Sequence, residues 1–110
     1  MHAAMTVQSA AMDQLASAPH RTAPFVGMPQ GMQATVAYAP SGAWYVIVVR
    51  GVSKRLRVAW MHDGEKTMLG DANPRGGMAM LYLPKSHRMD RLALMDGEQV
   101  VAQAQLRYGS

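Results

Sequence analysis

Cysteine is missing from all 110 residues of this chain, which removes thiol nucleophiles, zinc–thiolate centres and disulfide staples in one step. Its absence suits either side of a membrane, so the redox compartment stays open. No apolar run approaches the roughly 20 residues of a membrane helix, and the first residues lack the basic stretch and apolar block of a secretory signal. If the protein is anchored in a membrane, the expected anchor lies outside this chain. Charged residues make up 16% of the sequence and aromatic residues only 6%. A nucleic-acid surface calls for a basic group interleaved with exposed aromatics. Here the positive residues other than Arg21 run from Arg50 to Arg107 among Asp63, Glu65, Asp71, Asp90, Asp96 and Glu98, and only Arg50, Lys54, Arg55 and Arg57 cluster. The net charge of +4 therefore reads as a solvated strand end and hairpin, and no nucleic-acid partner is expected.

What the chain does have is short apolar stretches cut by Pro, Gly, Asp, Asn and Ser. From Glu98 to Tyr108, Val100, Ala102, Ala104 and Leu106 alternate with Val101, Gln103, Gln105 and Arg107, a period of two that puts one set on a buried face and the other in water. Upstream, Met32 to Tyr38 reads as a strand closed by Ala39-Pro40-Ser41-Gly42. Trp44 to Arg50 follows, and Val46 to Val49 is too continuously apolar for a sheet edge. Arg55 to His62 alternates, with Leu56, Val58 and Trp60 inward and Arg55, Arg57 and Ala59 outward, and Asp63-Gly64 turns it into Glu65 to Leu69. After a polar loop from Gly70 to Gly77 come Met78 to Leu83, a loop from Pro84 to Met89, Asp90 to Met95, and an Asp96-Gly97 turn into the last strand. The pattern predicts an all-β, seven-stranded, immunoglobulin-like antiparallel sandwich over residues 32–110. Residues 1–31 form a separate N-terminal segment. Its stretch from Thr6 to Ser17, with Met5 just before it and Met12 and Leu15 within it at roughly helical spacing, reads as one short helix or as a stalk.

The run Gly42-Ala43-Trp44-Tyr45-Val46-Ile47-Val48-Val49-Arg50-Gly51, then Leu56-Arg57-Val58-Ala59-Trp60 leading to Asp63-Gly64 and Leu69-Gly70, then Asp90-Arg91-Leu92-Ala93-Leu94-Met95-Asp96-Gly97 and Val100-Val101-Ala102-Gln103-Ala104, resembles the extracytoplasmic C-terminal domain of membrane-anchored bacterial anti-sigma factors. The resemblance covers roughly residues 34 to 107 and consists of strands and turns with Trp and Gly anchors. It implies a non-enzymatic regulatory or interaction domain on the extracytoplasmic side, with a protein partner or self-association, including a homodimer. The family's cytosolic sigma-binding part and its His and Cys zinc motif have no counterpart among these residues. Sigma binding is therefore carried over to no residue.

Candidate chemistry is thin. Eleven methionines together with His2, His20, His62 and His87 suggest a copper site, since thioether and imidazole ligands suit Cu(I) and Cu(II). The best group is Met61-His62 with Met78 and Met80 on one face of a later strand, although core packing explains the same methionines. This makes an envelope binding module, a Met/His metal binder or an adhesion-like domain, the alternative function. His87-Arg88-Met89-Asp90 invites a hydrolytic triad, but there is no Gly-x-Ser-x-Gly turn and the serines sit in turns and the N-terminal segment. The carboxylates occupy turn positions that suit Asp for backbone reasons. No catalysis and no cofactor are expected. Trp44 and Trp60 are expected in the inter-sheet core, the alternative being an exposed Trp that joins Tyr38 or Tyr45 in a carbohydrate or peptide platform.

Overall fold

The computed structural model describes residues 20–84 and 88–108, which form nine strands in two antiparallel sheets with no helix among the described residues. In chain order the strands are β1 (Arg21–Pro24), β2 (Gln33–Tyr38), β3 (Tyr45–Arg50), β4 (Leu56–His62), β5 (Glu65–Ala72), β6 (Pro74–Arg75), β7 (Met78–Leu83), β8 (Arg91–Asp96) and β9 (Gln99–Gln105). One sheet has the order β1-β2-β3-β7-β6 and the other β5-β4-β8-β9. The chain passes from the first sheet to the second between β3 and β4 and again between β7 and β8. As the unbroken apolar run requires, β3 lies inside its sheet, with β2 on one side and β7 on the other.

Alternation decides what faces the core. Tyr45, Ile47 and Val49 of β3 and Val36 of β2 point inward, against Leu56 and Val58 of β4, Leu92 and Leu94 of β8, and Ala102 and Ala104 of β9. Each fully buried aliphatic side chain of this kind contributes about 1.5–3 kcal/mol. Phe25, Val52, Met89 and Leu106, from the connections, close the ends of the same core. The β4–β5 hairpin turns at Asp63-Gly64 as predicted, and both turn residues have positive φ, 52° and 76°, as the tight turn matching strand twist demands.

The structure departs from the sequence pattern in four places. β1 falls inside the stretch read as a separate N-terminal segment, so the sheet begins before residue 32. Its four residues Arg-Thr-Ala-Pro carry too little alternation to announce a strand, and Pro24 is tolerated because β1 lies at an edge. β5 continues to Ala72 and the short β6 follows, where a polar loop was expected. A register shift opposite Val58/Ala59 leaves Leu69 as an extra residue, and this bulge hides the strand's period. A second shift opposite Leu94/Met95 does the same at Val101. Met95 there pairs with Val100, which packs in the outer cluster with Ala59 and Ala93, so Val100 leaves the face that Ala102 and Ala104 share. Finally, Trp44 is not between the sheets: it packs with Ala37, Ala39 and Val46 on the outer face of the five-stranded sheet, whereas Trp60 does border the inner core. The helix expected from Thr6 to Ser17 lies outside the described residues.

Candidate functional site

Of the four metal candidates, Met61 and His62 end β4, and Met78 and Met80 begin β7. Met61 packs on Ala59, Ala93 and Met95, on the outer face of the four-stranded sheet. Met80 packs on Val46 and Trp44, on the outer face of the other sheet, and Met78, two residues away on the same strand, shares its direction. The inner core lies between these two faces, so Met61 does not converge with Met78 and Met80. His62 is engaged locally: its ring stacks on Trp60 with centroids 3.9 Å apart, and its Nε2 is 2.9 Å from Thr67 Oγ1. Among the described residues no three His, Cys, Asp or Glu side chains group as metal ligands would.

The turn of the β4–β5 hairpin borders an open cleft of about 280 Å³ lined by Met61, His62, Asp63, Gly64, Glu65, Asp90 and Arg91. Asp63, Glu65 and Asp90 are exposed to solvent. His87 lies outside the described residues. The basic cluster of the sequence is also dispersed: Lys54 bonds to Asp96, and Arg55 reaches Asp71 at 3.8 Å. Arg50 belongs to the other sheet.

The densest polar arrangement is a group of tyrosines. Tyr108 Oη donates to the Met89 carbonyl at 2.7 Å. The Tyr45 and Tyr108 hydroxyls share a hydrogen bond of 2.7 Å. The Met89 amide donates to Tyr45 Oη at 2.9 Å, closing a ring of bonds. Beside it, Tyr38 Oη accepts from the Arg107 amide at 2.9 Å and lies 3.0 Å from the Arg107 carbonyl, to which it donates. Burial first, then the Tyr45 hydrogen bond, push the Tyr108 phenol far above its ordinary range. It stays protonated and serves as a clasp between β2, β3, the approach to β8 and the end of β9. Tyr38 and Tyr45 are therefore buried and bonded, and with Trp44 only 5% exposed no aromatic platform of the expected kind forms. Sequence spacing could not reveal this cluster, because its members are joined over as many as 69 residues.

One surface stands out as a candidate for contact. The outer face of the five-stranded sheet carries Ala37 from β2, Trp44, Val46 and Val48 from β3 and its approach, and Met80 and Tyr82 from β7. Val48 also lines a cleft of about 210 Å³ with Gln33, Thr35 and Arg50. A solvated sheet face normally alternates to polar residues; here apolar residues occupy both faces of β3. The continuous run Val46 to Val49 was the available signal for this second apolar face. No protein-family model matches the chain, and no curated protein or solved structure shows significant similarity to it.

Proposed function

We propose that this chain is a non-enzymatic interaction domain, the extracytoplasmic part of an anti-sigma-type membrane regulator of transcription, working through a protein partner or self-association. The observation that carries the reading is the pairing of the segments bearing the resemblance. Gly42–Gly51 supplies β3, Leu56–Trp60 most of β4, Asp90–Gly97 spans β8, and Val100–Ala104 lies in β9; β4, β8 and β9 are consecutive neighbours and β3 forms the opposing wall. The order β2-β3-β7-β6 over β5-β4-β8-β9 also supports an immunoglobulin-like type, since it corresponds to strands A-B-E-D over C′-C-F-G. The apolar outer face supports contact with protein.

The reading is tested in cells that carry the natural gene. An alkaline phosphatase fused after Ser110 becomes active only outside the cytosol, and replacing the region coding for residues 20–108 by an unrelated β-domain disturbs one promoter class in total transcript profiles. Inactive phosphatase, or a transcript profile identical to that of the parent, overturns it.

A further inference from the structure

Two open sheets have four edges, and three of these offer little to another strand. β1 is four residues long and ends in Pro24, and β6 consists of Pro74 and Arg75; proline has no N–H to give to a neighbouring strand. At β9 the Val26 amide bonds to the Gln103 carbonyl at 2.8 Å and the Gln103 amide to the Val26 carbonyl at 3.1 Å, so the middle of that edge is taken. β5 is different. It has eight residues and no proline, it ends its sheet beside β4, and among the described residues no strand pairs with its other side. Glu65 to Met68 are exposed, the apolar Met68 by 49%. A free edge of this length is a template for a further strand.

The order of side chains along β5 says which strand fits. Ala72, Gly70 and Thr67 stand opposite Leu56, Val58 and Trp60 on the core side, and Glu65 follows them there, whereas Lys66, Met68 and Asp71 stand opposite Met61, Ala59 and Arg57 on the outer side. The bulge at Leu69 shifts the period by one. That is why Lys66 and Asp71, five residues apart, share a face. We propose that β5 pairs antiparallel with β5 of a second copy about a two-fold axis at the Met68–Leu69 bond, joining the two four-stranded sheets into one. Lys66 then stands opposite the partner's Asp71, Thr67 opposite the partner's Gly70 and Glu65 opposite the partner's Ala72, each pair on one face, with the two bulges meeting at the axis. Symmetry forms the Lys66–Asp71 pair twice, and opposite charges directly across a strand pair attract. The contact of Asp71 with Arg55, 3.8 Å long and open to solvent, leaves its carboxylate able to take a second cation. Other registers lose this match: centring the pair on Lys66 brings the two lysines together, and centring it on Met68 sets Asp71 against Glu65 across opposite faces. The dimer names the self-association included in the proposed function, yet it depends on β5 alone and stands or falls separately from the phosphatase and transcript readouts.

Sedimentation of the full chain from micromolar to millimolar concentration tests the pairing, with amide hydrogen exchange measured at both ends of the range. A reversible monomer–dimer equilibrium is expected, in which rising concentration protects amides of β5. Lys66→Glu sets Glu opposite Asp71 twice and weakens the dimer by about tenfold; Asp71→Lys does the same by setting lysines opposite each other. Mixed in equal amounts, the two variants complement one another and form a heterodimer close to the parent in affinity, a recovery that a folding defect cannot imitate. Met68→Lys, at an exposed side chain, supplies a disruption independent of the charge pair, and circular dichroism confirms the fold of each variant. A dimer whose β5 amides gain no protection overturns the inference, and protection gained instead around Val48 and Met80 moves the contact to the outer face of the other sheet. So does a dimer indifferent to Lys66→Glu and Met68→Lys, or one with no recovery on mixing. A chain still monomeric at millimolar concentration overturns it as well, and protection of β5 in that monomer by an added Thr-Val repeat peptide assigns the edge to a strand of another protein.

Discussion

Gly51 directly follows β3 and Gly70 lies within β5, and the structure assigns them opposite tolerances. Gly51 has φ +77°, and a Cβ there would stand 2.2 Å from the Gly31 carbonyl oxygen. Backbone cannot yield as a side chain does, so strain and clash add. Gly51→Ala is expected to lower stability by about 3 kcal/mol. At Gly70 the added carbon meets only the Leu81 methyl groups, at 3.3 and 3.4 Å, and these can rotate aside; the loss is expected within about 1 kcal/mol. Urea unfolding of the two variants checks the contrast, and equal losses contradict the account of Gly51. The tyrosine clasp makes a different prediction. The Tyr108 phenol is held neutral in the fold, whereas its ordinary value in an unfolded chain is about 10. Below that value both states are protonated and the contribution is complete. Above it the unfolded chain loses a proton that the native protein keeps, so stability falls as pH rises, by up to about 1.4 kcal/mol per pH unit. Tyr108→Phe should cost about 1–3 kcal/mol near neutrality, because Met89 and Tyr45 lose a buried partner. It should also remove one proton's share of the alkaline slope, as urea titrations from pH 8 to 11 would read out.

Elements in this chain were legible where alternation ran undisturbed. β3, β4 and β7 appear within a residue or so of their predicted limits, because Val, Ile, Leu and Trp recur there at the strand period or fill it completely. β1 was not legible: its only buried residue is Ala23, and what fixes it is pairing with β2 together with Phe25 just beyond its end. The Phe25 amide bonds to Ala34 and the Val26 amide to Gln103, so this short stretch ties the edges of both sheets together. Phe25→Ala should therefore cost about 3–5 kcal/mol and loosen more than its own site. Hydrogen exchange is expected to accelerate at the Val26 and Gln103 amides before it does at Ile47 in the middle of β3. If the three accelerate together, the edge is not an independent unit, and the variant has merely lowered global stability.

At the scale of the whole molecule, a two-sheet fold has two outer faces, and strand membership decides which side chains can meet. That information is absent from spacing along the chain. Met61 and His62 are adjacent in sequence, and Met78 and Met80 have the spacing of a shared strand face; only the folded sheets show that Met61 and the Met78–Met80 face are separated by the core, while His62 turns to the opposite side of β4 from Met61, against Trp60. Thioether coordination of Cu(I) needs several soft donors around one ion. A tight site assembled from His62, Met61 and Met80 would have to bring ligands through a layer that contains Ile47, Val58 and Leu94. The expected result of anaerobic Cu(I) calorimetry is therefore no stoichiometric submicromolar binding dependent on these residues, with parent, His62→Ala and Met80→Ala chains giving the same trace. A stoichiometric site abolished by both substitutions would require the sheets to rearrange, and would turn the reading from a domain that meets another protein through an apolar face to one that carries metal.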